Sequence, residues 1–305
     1  MNWKVFYQMS GLSTPPLDLA WLILAASFSY YYWGRFNWLA PTIALVIVFM
    51  FHLIINIQND LYDFEHASTK TAYKEKTNNI GLYKLDLQVV KKWLAWLAIL
   101  PIALGLLLAY FTGWPTLVIG SLAAIFGLGY SAGPRPWNST PLCEFCVAFP
   151  IAYMIPLTYV YLGNLGHLTL DWTLVGRMFL VALLPLVMIY IMQLANNICD
   201  LQEDVPNGRY TLVYFLTAAR AIKLFYLLYW LSAGGLILVV CWGLAPWLTL
   251  LTLPLYLIFN RPLQILRHNQ HKKEIYNQVI VKHCSQITMT YIALYLVGTI
   301  FHLIF

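Results

Sequence analysis

The stretch from Asn196 to Arg209, NNICDLQEDVPNGR, places acids and amides at the end of a long apolar run. If it is helical, Asn196, Asp200 and Asp204 follow one another at i, i+4 and i+8, so their side chains share one face. A face made of carboxylate and amide oxygens favours a hard divalent cation such as Mg²⁺ or Ca²⁺ over zinc. Because Mg²⁺ usually keeps positions open for phosphate oxygens, the pattern indicates a metal site for a phosphorylated substrate.

An earlier stretch, Asn56 to Glu65, has the same character. It reads NIQNDLYDFE and also closes an apolar run. Ionisable groups at membrane depth cost about 2.5 to 3.5 kcal/mol even on a lenient insertion scale, so acidic clusters at the ends of apolar segments need partners. Two such stretches in one chain predict one shared cation site.

The composition indicates the class of protein that carries these two acidic stretches. The 305 residues are 61% hydrophobic and only 10% charged, whereas about a quarter of a soluble domain is charged. We therefore expect a single multi-pass membrane domain covering 1–305, an all-α bundle of about nine transmembrane helices. Spans of roughly 20 apolar residues are predicted at approximately 17–34, 39–60, 90–112, 115–132, 142–163, 173–197, 218–242, 245–260 and 285–305.

The basic residues predict the orientation of this bundle. A net charge of +6 would suggest a nucleic-acid partner in a soluble protein, but here the Lys and Arg residues lie in short loops between apolar segments. With nine spans, one side of the membrane receives only Arg35 and Arg177, and the other receives all the remaining basic residues. Positive-inside topology then places the N-terminus and both acidic stretches in the cytoplasm and the C-terminus outside. The partner is therefore the lipid bilayer of the cell membrane and not nucleic acid.

The paired stretches resemble the two aspartate-rich motifs of the UbiA-type membrane prenyltransferase superfamily, Asn-Asp-x-x-Asp and Asp-x-x-x-Asp. The matching segments here are 59–63, NDLYD, and 200–204, DLQED. The loop 130–136, YSAGPRP, with Glu144 after it, is similar to the family's loop after the fourth span. The flanking NGRYTL at 207–212, the pair Asn196-Asn197 and Asn56 most resemble the branch that prenylates 1,4-dihydroxy-2-naphthoate.

This resemblance implies a UbiA-like fold and a Mg²⁺-dependent reaction with its active site facing the cytoplasm. A polyprenyl chain would pass from its diphosphate to an aromatic small molecule, with release of diphosphate, as a step of menaquinone biosynthesis. Asp60, Asp63, Asp200 and Asp204 are the expected catalytic residues. The expected metal ligands are these four acids with Asn59 and Asn196, and the expected substrate-binding residues are Asn59, Lys76, Tyr130, Arg135, Asn196 and Arg209.

One position departs from the family pattern, and other functions stay open. The first motif normally continues to a further Asp four or six residues beyond Asp63, where this chain has Ala67 and Thr69. The acceptor could instead be 4-hydroxybenzoate, haem or a lipid alcohol. A cation-binding transporter is a different class, and it predicts acids near the bilayer midplane. For His52, two turns before Asn59, we expect an ordinary interhelical hydrogen bond.

Overall fold

All regular secondary structure is helical in the computed structural model, which describes residues 3–12, 16–66, 78–268 and 272–305. The helices are α1 (Trp3–Ser10), α2 (Pro16–Trp33), α3 (Leu39–His66), α4 (Asn79–Leu82), α5 (Leu87–Thr112), α6 (Trp114–Gly129), α7 (Cys143–Gly163), α8 (Trp172–Asp204), α9 (Leu212–Leu216), α10 (Ala218–Cys241), α11 (Leu253–Leu263) and α12 (Lys273–Ile304). A short π turn at Pro150–Met154 interrupts α7, and another at Tyr276–Val281 interrupts α12. A 3₁₀ segment, Trp247–Thr252, leads into α11.

Every predicted span overlaps a helical segment, which confirms an all-helical membrane architecture. Within the described ranges, six helices are long and apolar enough to cross a membrane, namely α3, α5, α7, α8, α10 and α12. The apolar helix α6 is shorter. The count of nine crossings and the orientation of the N-terminus therefore stay predictions.

The helix ends follow from local sequence signals. The side chains of Asp86 and Asp171 accept hydrogen bonds from the first-turn amides of α5 and α8, at 2.7 and 2.8 Å, and so cap these helices. Gly113, with φ of 94°, adopts a conformation open to few other residues and separates α5 from α6. Where the prediction ended the second span at residue 60, α3 continues to His66, so the first acidic motif forms its last turns.

The helices pack as a ring in which the last helix returns to α2. Thr299 on α12 donates a hydrogen bond to the carbonyl of Ser27 on α2, at 3.2 Å, and Tyr291 on α12 donates to the carbonyl of Val181 on α8, at 2.9 Å. Helix α8 also packs against α10, and α3 packs against α5. The outer face of α5 exposes large apolar residues such as Trp96, which a bilayer would cover.

Candidate active site

The two acidic motifs form the last turns of α3 and α8, and one side chain joins them. Arg209 makes an ion pair with Asp63 of the first motif, and its Nη1 lies 3.8 Å from Oδ1 of Asp204 of the second. Asp63 and Asp204 are both buried, which strengthens these contacts relative to pairs in open solvent. The structure thus brings the motifs together at one end of the bundle, hereafter the motif end.

A tight turn after α8 brings Arg209 back to the acids. Pro206 and Asn207 close the helix, and Gly208 takes the left-handed conformation with φ of 75°. The amide of Arg209 then donates to the carbonyl of Asp204 at 3.0 Å, as is typical of a glycine-terminated helix. The segment VPNGR therefore serves to turn the chain and return a cation to the motif that precedes it.

Lys273, at the start of α12, supplies a second cation that the sequence did not single out. Its ammonium group makes an ion pair with Asp200 and donates a hydrogen bond to Oδ1 of Asn196 at 2.8 Å. Asn196 in turn donates to Oδ2 of Asp200 at 3.0 Å. The predicted helical face of Asn196, Asp200 and Asp204 is therefore present, and each of its two acids contacts a cation.

The first motif is held differently. Asn79, at the start of α4, donates to Oδ2 of Asp60 at 2.6 Å, and Asn78 donates to the carbonyl of the same residue at 2.8 Å. Asp60 is therefore bound to α4, whereas Asp63 binds Arg209. Asn59 donates to Oδ2 of Asp63 at 3.4 Å, and its own Oδ1 is buried with no hydrogen-bond partner among the described residues.

This donor set suits a hard cation. No group of three or more His, Cys, Asp or Glu side chains lies close enough to hold a metal in the part of the chain that the structure describes. The oxygen donors at the motif end are nevertheless carboxylates and amides, the ligands that Mg²⁺ prefers. The orphaned Oδ1 of Asn59 is a buried acceptor that such a cation would satisfy.

Two other predicted site residues lie in the loop between α6 and α7. Gln58 on α3 donates to the carbonyl of Leu128 in the last turn of α6 at 2.8 Å and to Oγ of Ser131 in this loop at 3.4 Å, which ties the loop to the helix of the first motif. Tyr130 lines a cavity inside the bundle. Arg135 is exposed and makes no ion pair within the described ranges, so the structure does not bring it to the acids.

Several predicted positions fall outside the described residues. These are Lys76, Ala67 and Thr69, all in the segment after α3. Glu65, the other acid near the first motif, makes an ion pair of 2.7 Å with Lys91 on α5. Its carboxylate is therefore paired with α5, whereas the carboxylate of Asp63 is paired with Arg209.

A buried polar cluster on α7 and α8 lies next to the second motif. Glu144 is fully buried on α7 and accepts a hydrogen bond from Asn197 at 2.9 Å. Gln193 donates to Oδ1 of Asn197 at 3.3 Å. Because Asn197 is the neighbour of Asn196, these bonds fix the rotation of α8 that turns Asn196 and Asp200 toward Lys273.

An apolar cavity of about 440 Å³ begins next to both motifs. Asn56 and Gln193 line it, and each lies three residues, or about one turn, before the Asn of its motif. The remaining lining comes mainly from apolar residues of α3, α5, α6 and α7. A charged site next to an apolar cavity is the arrangement expected of a membrane enzyme for a lipid with a charged head group.

Comparison with known families identifies this class more closely. Residues 19–279 match the UbiA prenyltransferase family, so the chain belongs to this family, and the prediction of a prenyltransferase is confirmed. No functionally curated protein matches the chain.

Solved structures share the fold across nearly the whole length. A digeranylgeranylglyceryl phosphate synthase has a TM-score of 0.68 at 18% identity, over 97% of this chain and 98% of that one. A UbiA homologue from Archaeoglobus fulgidus bound to GPP and Mg²⁺ has a TM-score of 0.63 at 14% identity, over 99% and 100%. A UbiA homologue from Aeropyrum pernix K1 has a TM-score of 0.65 at 13% identity, over 93% and 98%. At these identities the likeness establishes the fold.

Proposed function

We propose that this protein transfers a polyprenyl chain from its diphosphate to an aromatic acceptor, with Mg²⁺ as cofactor and release of diphosphate. The acceptor we propose is 1,4-dihydroxy-2-naphthoate, which makes the reaction a step of menaquinone biosynthesis. The observation that carries the proposal is the contact of Arg209 with Asp63 and Asp204, because it joins the two acidic motifs into one site.

The residues that would hold Mg²⁺ are the oxygen donors of the two motifs, Asn59, Asp60, Asp63, Asn196, Asp200 and Asp204. A UbiA homologue from Archaeoglobus fulgidus is bound to GPP and Mg²⁺, which supports Mg²⁺ as the cation. When bound, the cation would neutralise the negative charge that develops on the diphosphate as its bond to the prenyl carbon breaks.

The protein's own cations bind the other diphosphate oxygens. Arg209 and Lys273 already lie at the acids, so a small side-chain movement brings each from a carboxylate to a diphosphate. The guanidinium can bind two phosphate oxygens at once, whereas the ammonium acts as a point charge. Lys76 and Arg135 remain proposed substrate-binding residues.

The cavity between α3, α5, α6 and α7 takes the prenyl chain. Its apolar lining excludes the water that would otherwise quench an allylic cation. Tyr130, just after α6, lines this cavity, so its ring can face the cation as it forms. We place the motif end at the cytoplasmic face of the cell membrane, since the contacts of Lys91, Arg209 and Lys273 gather the basic residues there.

The test is transfer in purified membranes, followed by mass analysis of the product. A panel of prenyl diphosphates is incubated with 1,4-dihydroxy-2-naphthoate, 4-hydroxybenzoate and a lipid alcohol, with Mg²⁺ or with EDTA. We expect a prenylated naphthoate that is lost with EDTA and in Asp63→Asn and Asp200→Asn. The matched control is Glu203→Gln, an exposed acid between Asp200 and Asp204, which should retain activity.

Each result has a separate meaning. Product from another acceptor would show that the acceptor is not the naphthoate, while the proposed transferase activity would stand. Full activity in both Asp63→Asn and Asp200→Asn would overturn the site. Cation-dependent uptake into proteoliposomes without any prenylated product would favour a transporter instead.

A further inference from the structure

We propose that a cleft at the end of the bundle opposite the motif end binds the headgroup phosphate of an anionic phospholipid through Arg177. The cleft is separate from the site that the acidic motifs form. Arg177 precedes Asp204 by 27 residues on α8, which is about 40 Å of helix. A lipid bound here would therefore belong to the leaflet of the bilayer that is farther from the proposed active site.

The cleft lies between the first turns of α8 and the ends of α2 and α10. It has a volume of about 780 Å³, and most of its lining is aromatic or apolar. Tyr32 belongs to the last turn of α2, Trp172 begins α8, and Trp242 directly follows α10. Among the described residues that line the cleft, Arg177 alone carries a charge.

The guanidinium group of Arg177 has a partner for its face but not for its edge. Its central carbon lies 4.7 Å from the centroid of the Tyr32 ring, which is a cation–π contact. Stacking of this kind occupies the plane of the guanidinium and leaves the N–H groups at its edge available. Arg177 is partly buried, and it makes no hydrogen bond or ion pair with the part of the chain that the structure describes. Its edge can therefore receive an acceptor from outside the protein.

The depth of Arg177 in the bilayer favours an anion as this acceptor. Trp172 and Trp242 are 89% and 66% exposed at the ends of their helices, as is typical of the interface between membrane and water. Arg177 follows Trp172 by five residues, about 7.5 Å farther along α8 toward the hydrocarbon. A charge at this depth is costly unless it reaches water or meets an anion. The contact with Tyr32 keeps the guanidinium inside the cleft, where a lipid phosphate can reach it.

The other groups of the cleft fit a phospholipid. The guanidinium fork can bind two phosphate oxygens at once, and Thr173, four residues before Arg177, adds a hydroxyl on the same helix face. No carboxylate lines the described part of the cleft to receive a headgroup cation, so a lipid with net negative charge is favoured over a zwitterionic one. Phe179, which is 39% exposed, extends the apolar surface toward the hydrocarbon, where an acyl chain would cover it. Inorganic phosphate would gain nothing from this apolar surface.

The experiment measures lipid binding to the purified protein in detergent micelles that contain either phosphatidylglycerol or phosphatidylcholine. Native mass spectrometry counts the lipids that stay bound, and thermal unfolding reports the stabilisation that they give. We expect the wild-type protein to retain phosphatidylglycerol preferentially and to show the larger rise in Tm with it. Arg177→Gln should lower the affinity for phosphatidylglycerol about tenfold or more and should remove the difference between the two lipids.

Arg35→Gln is the matched control, because Arg35 is the other basic residue predicted on this side of the membrane. It is exposed and does not line the cleft, so its loss should leave lipid binding unchanged. Arg177→Lys serves where Arg177→Gln does not fold. It keeps the charge, but it should still bind phosphatidylglycerol more weakly than the wild-type protein, because an ammonium group lacks the planar fork.

Three results would overturn the inference. The first is phosphatidylglycerol binding that is unchanged in the Arg177 variants or falls equally in Arg35→Gln. The second is phosphatidylcholine binding as tight as that of phosphatidylglycerol in the wild-type protein. The third is a rise in Tm with inorganic phosphate alone that equals the rise with phosphatidylglycerol, since the cleft would then bind a free anion and not a lipid.

Discussion

Arg209 occupies a position at which one side chain can neutralise acids from two distant parts of the chain. Its guanidinium group is planar and presents several donors in a fixed fork, so it can contact Asp63 and Asp204 together. An ammonium group in the same place is a compact point charge without this planar fork, so it would not reproduce both contacts in the same geometry. The residue type, and not only its charge, therefore matters here.

This geometry predicts different outcomes for two substitutions of Arg209. Arg209→Gln removes a charged hydrogen bond worth about 1.5 to 3 kcal/mol, so kcat/KM for the prenyl diphosphate should fall about 10- to 100-fold. Arg209→Lys should recover only part of this loss. Arg177→Gln serves as control, because Arg177 lies over the ring of Tyr32 near the other end of α8. Equal kinetics in Arg209→Lys and the wild-type protein would contradict the need for a fork.

Lys273 gives a second prediction at the residue scale. Its side chain is 49% exposed, so solvent screens its contact with Asp200 and the expected effect is smaller. Lys273→Gln should raise KM for the prenyl diphosphate about tenfold or less. Lys272→Gln is the matched control, since Lys272 is the exposed neighbour and makes no ion pair among the described residues. An equal rise in both variants would indicate a general loss of positive charge and not a specific contact.

At the scale of elements, the turn that ends α8 decides where Arg209 lies. Gly208 has φ of 75°, and a Cβ placed there would meet open space. Since there is room for a side chain, the cost of replacing this glycine comes from the left-handed backbone conformation alone, and it is about 1 to 2 kcal/mol. The turn can relieve this strain only by moving the residues beside it, and the next residue is Arg209.

Gly208→Ala should therefore reduce both stability and activity. We expect a loss of about 1 kcal/mol in unfolding free energy and a severalfold drop in kcat/KM for the prenyl diphosphate. Gly166→Ala is the matched control, because Gly166 has φ of 77°, open space around its Cβ, and a place in the loop before α8. Thermal unfolding and transfer assays on both variants separate the effects. A control that loses as much activity as Gly208→Ala would refute a local role of the turn.

The elements were largely predictable, whereas contacts between them were not. Apolar runs of membrane-spanning length locate the helices, and the spacing of Asn196, Asp200 and Asp204 identifies their shared face. Lys273 follows the second motif by some seventy residues, and in the sequence it resembles any loop cation. The bond between Asn79 and Asp60 and the pair of Asp18 with His52 likewise depend on how helices pack. Such contacts carry no periodic signal along the chain.

At the scale of the whole molecule, the ring of helices encloses a cavity that small residues keep open. Gly105 on α5 and Gly120 on α6 both line it, and a Cβ at either position would meet open space. A glycine inside a helix costs about 1 kcal/mol relative to alanine, so larger residues would be favoured there on propensity alone. Because the two glycines have no side chain, they leave volume that the proposed prenyl chain can fill.

Filling this volume should shorten the prenyl chain that the protein accepts. Gly120→Leu and Gly105→Leu can be built without backbone strain, and their side chains would occupy space that now belongs to the cavity. We expect the preferred prenyl diphosphate to become shorter by one or more isoprene units, with kcat/KM for short substrates retained. Gly234→Leu on α10 is the matched control, since Gly234 is also helical with open space around it but does not line the cavity. Product lengths measured by mass spectrometry after competition among prenyl diphosphates decide the matter. An unchanged distribution in both cavity variants would mean that the prenyl chain lies elsewhere.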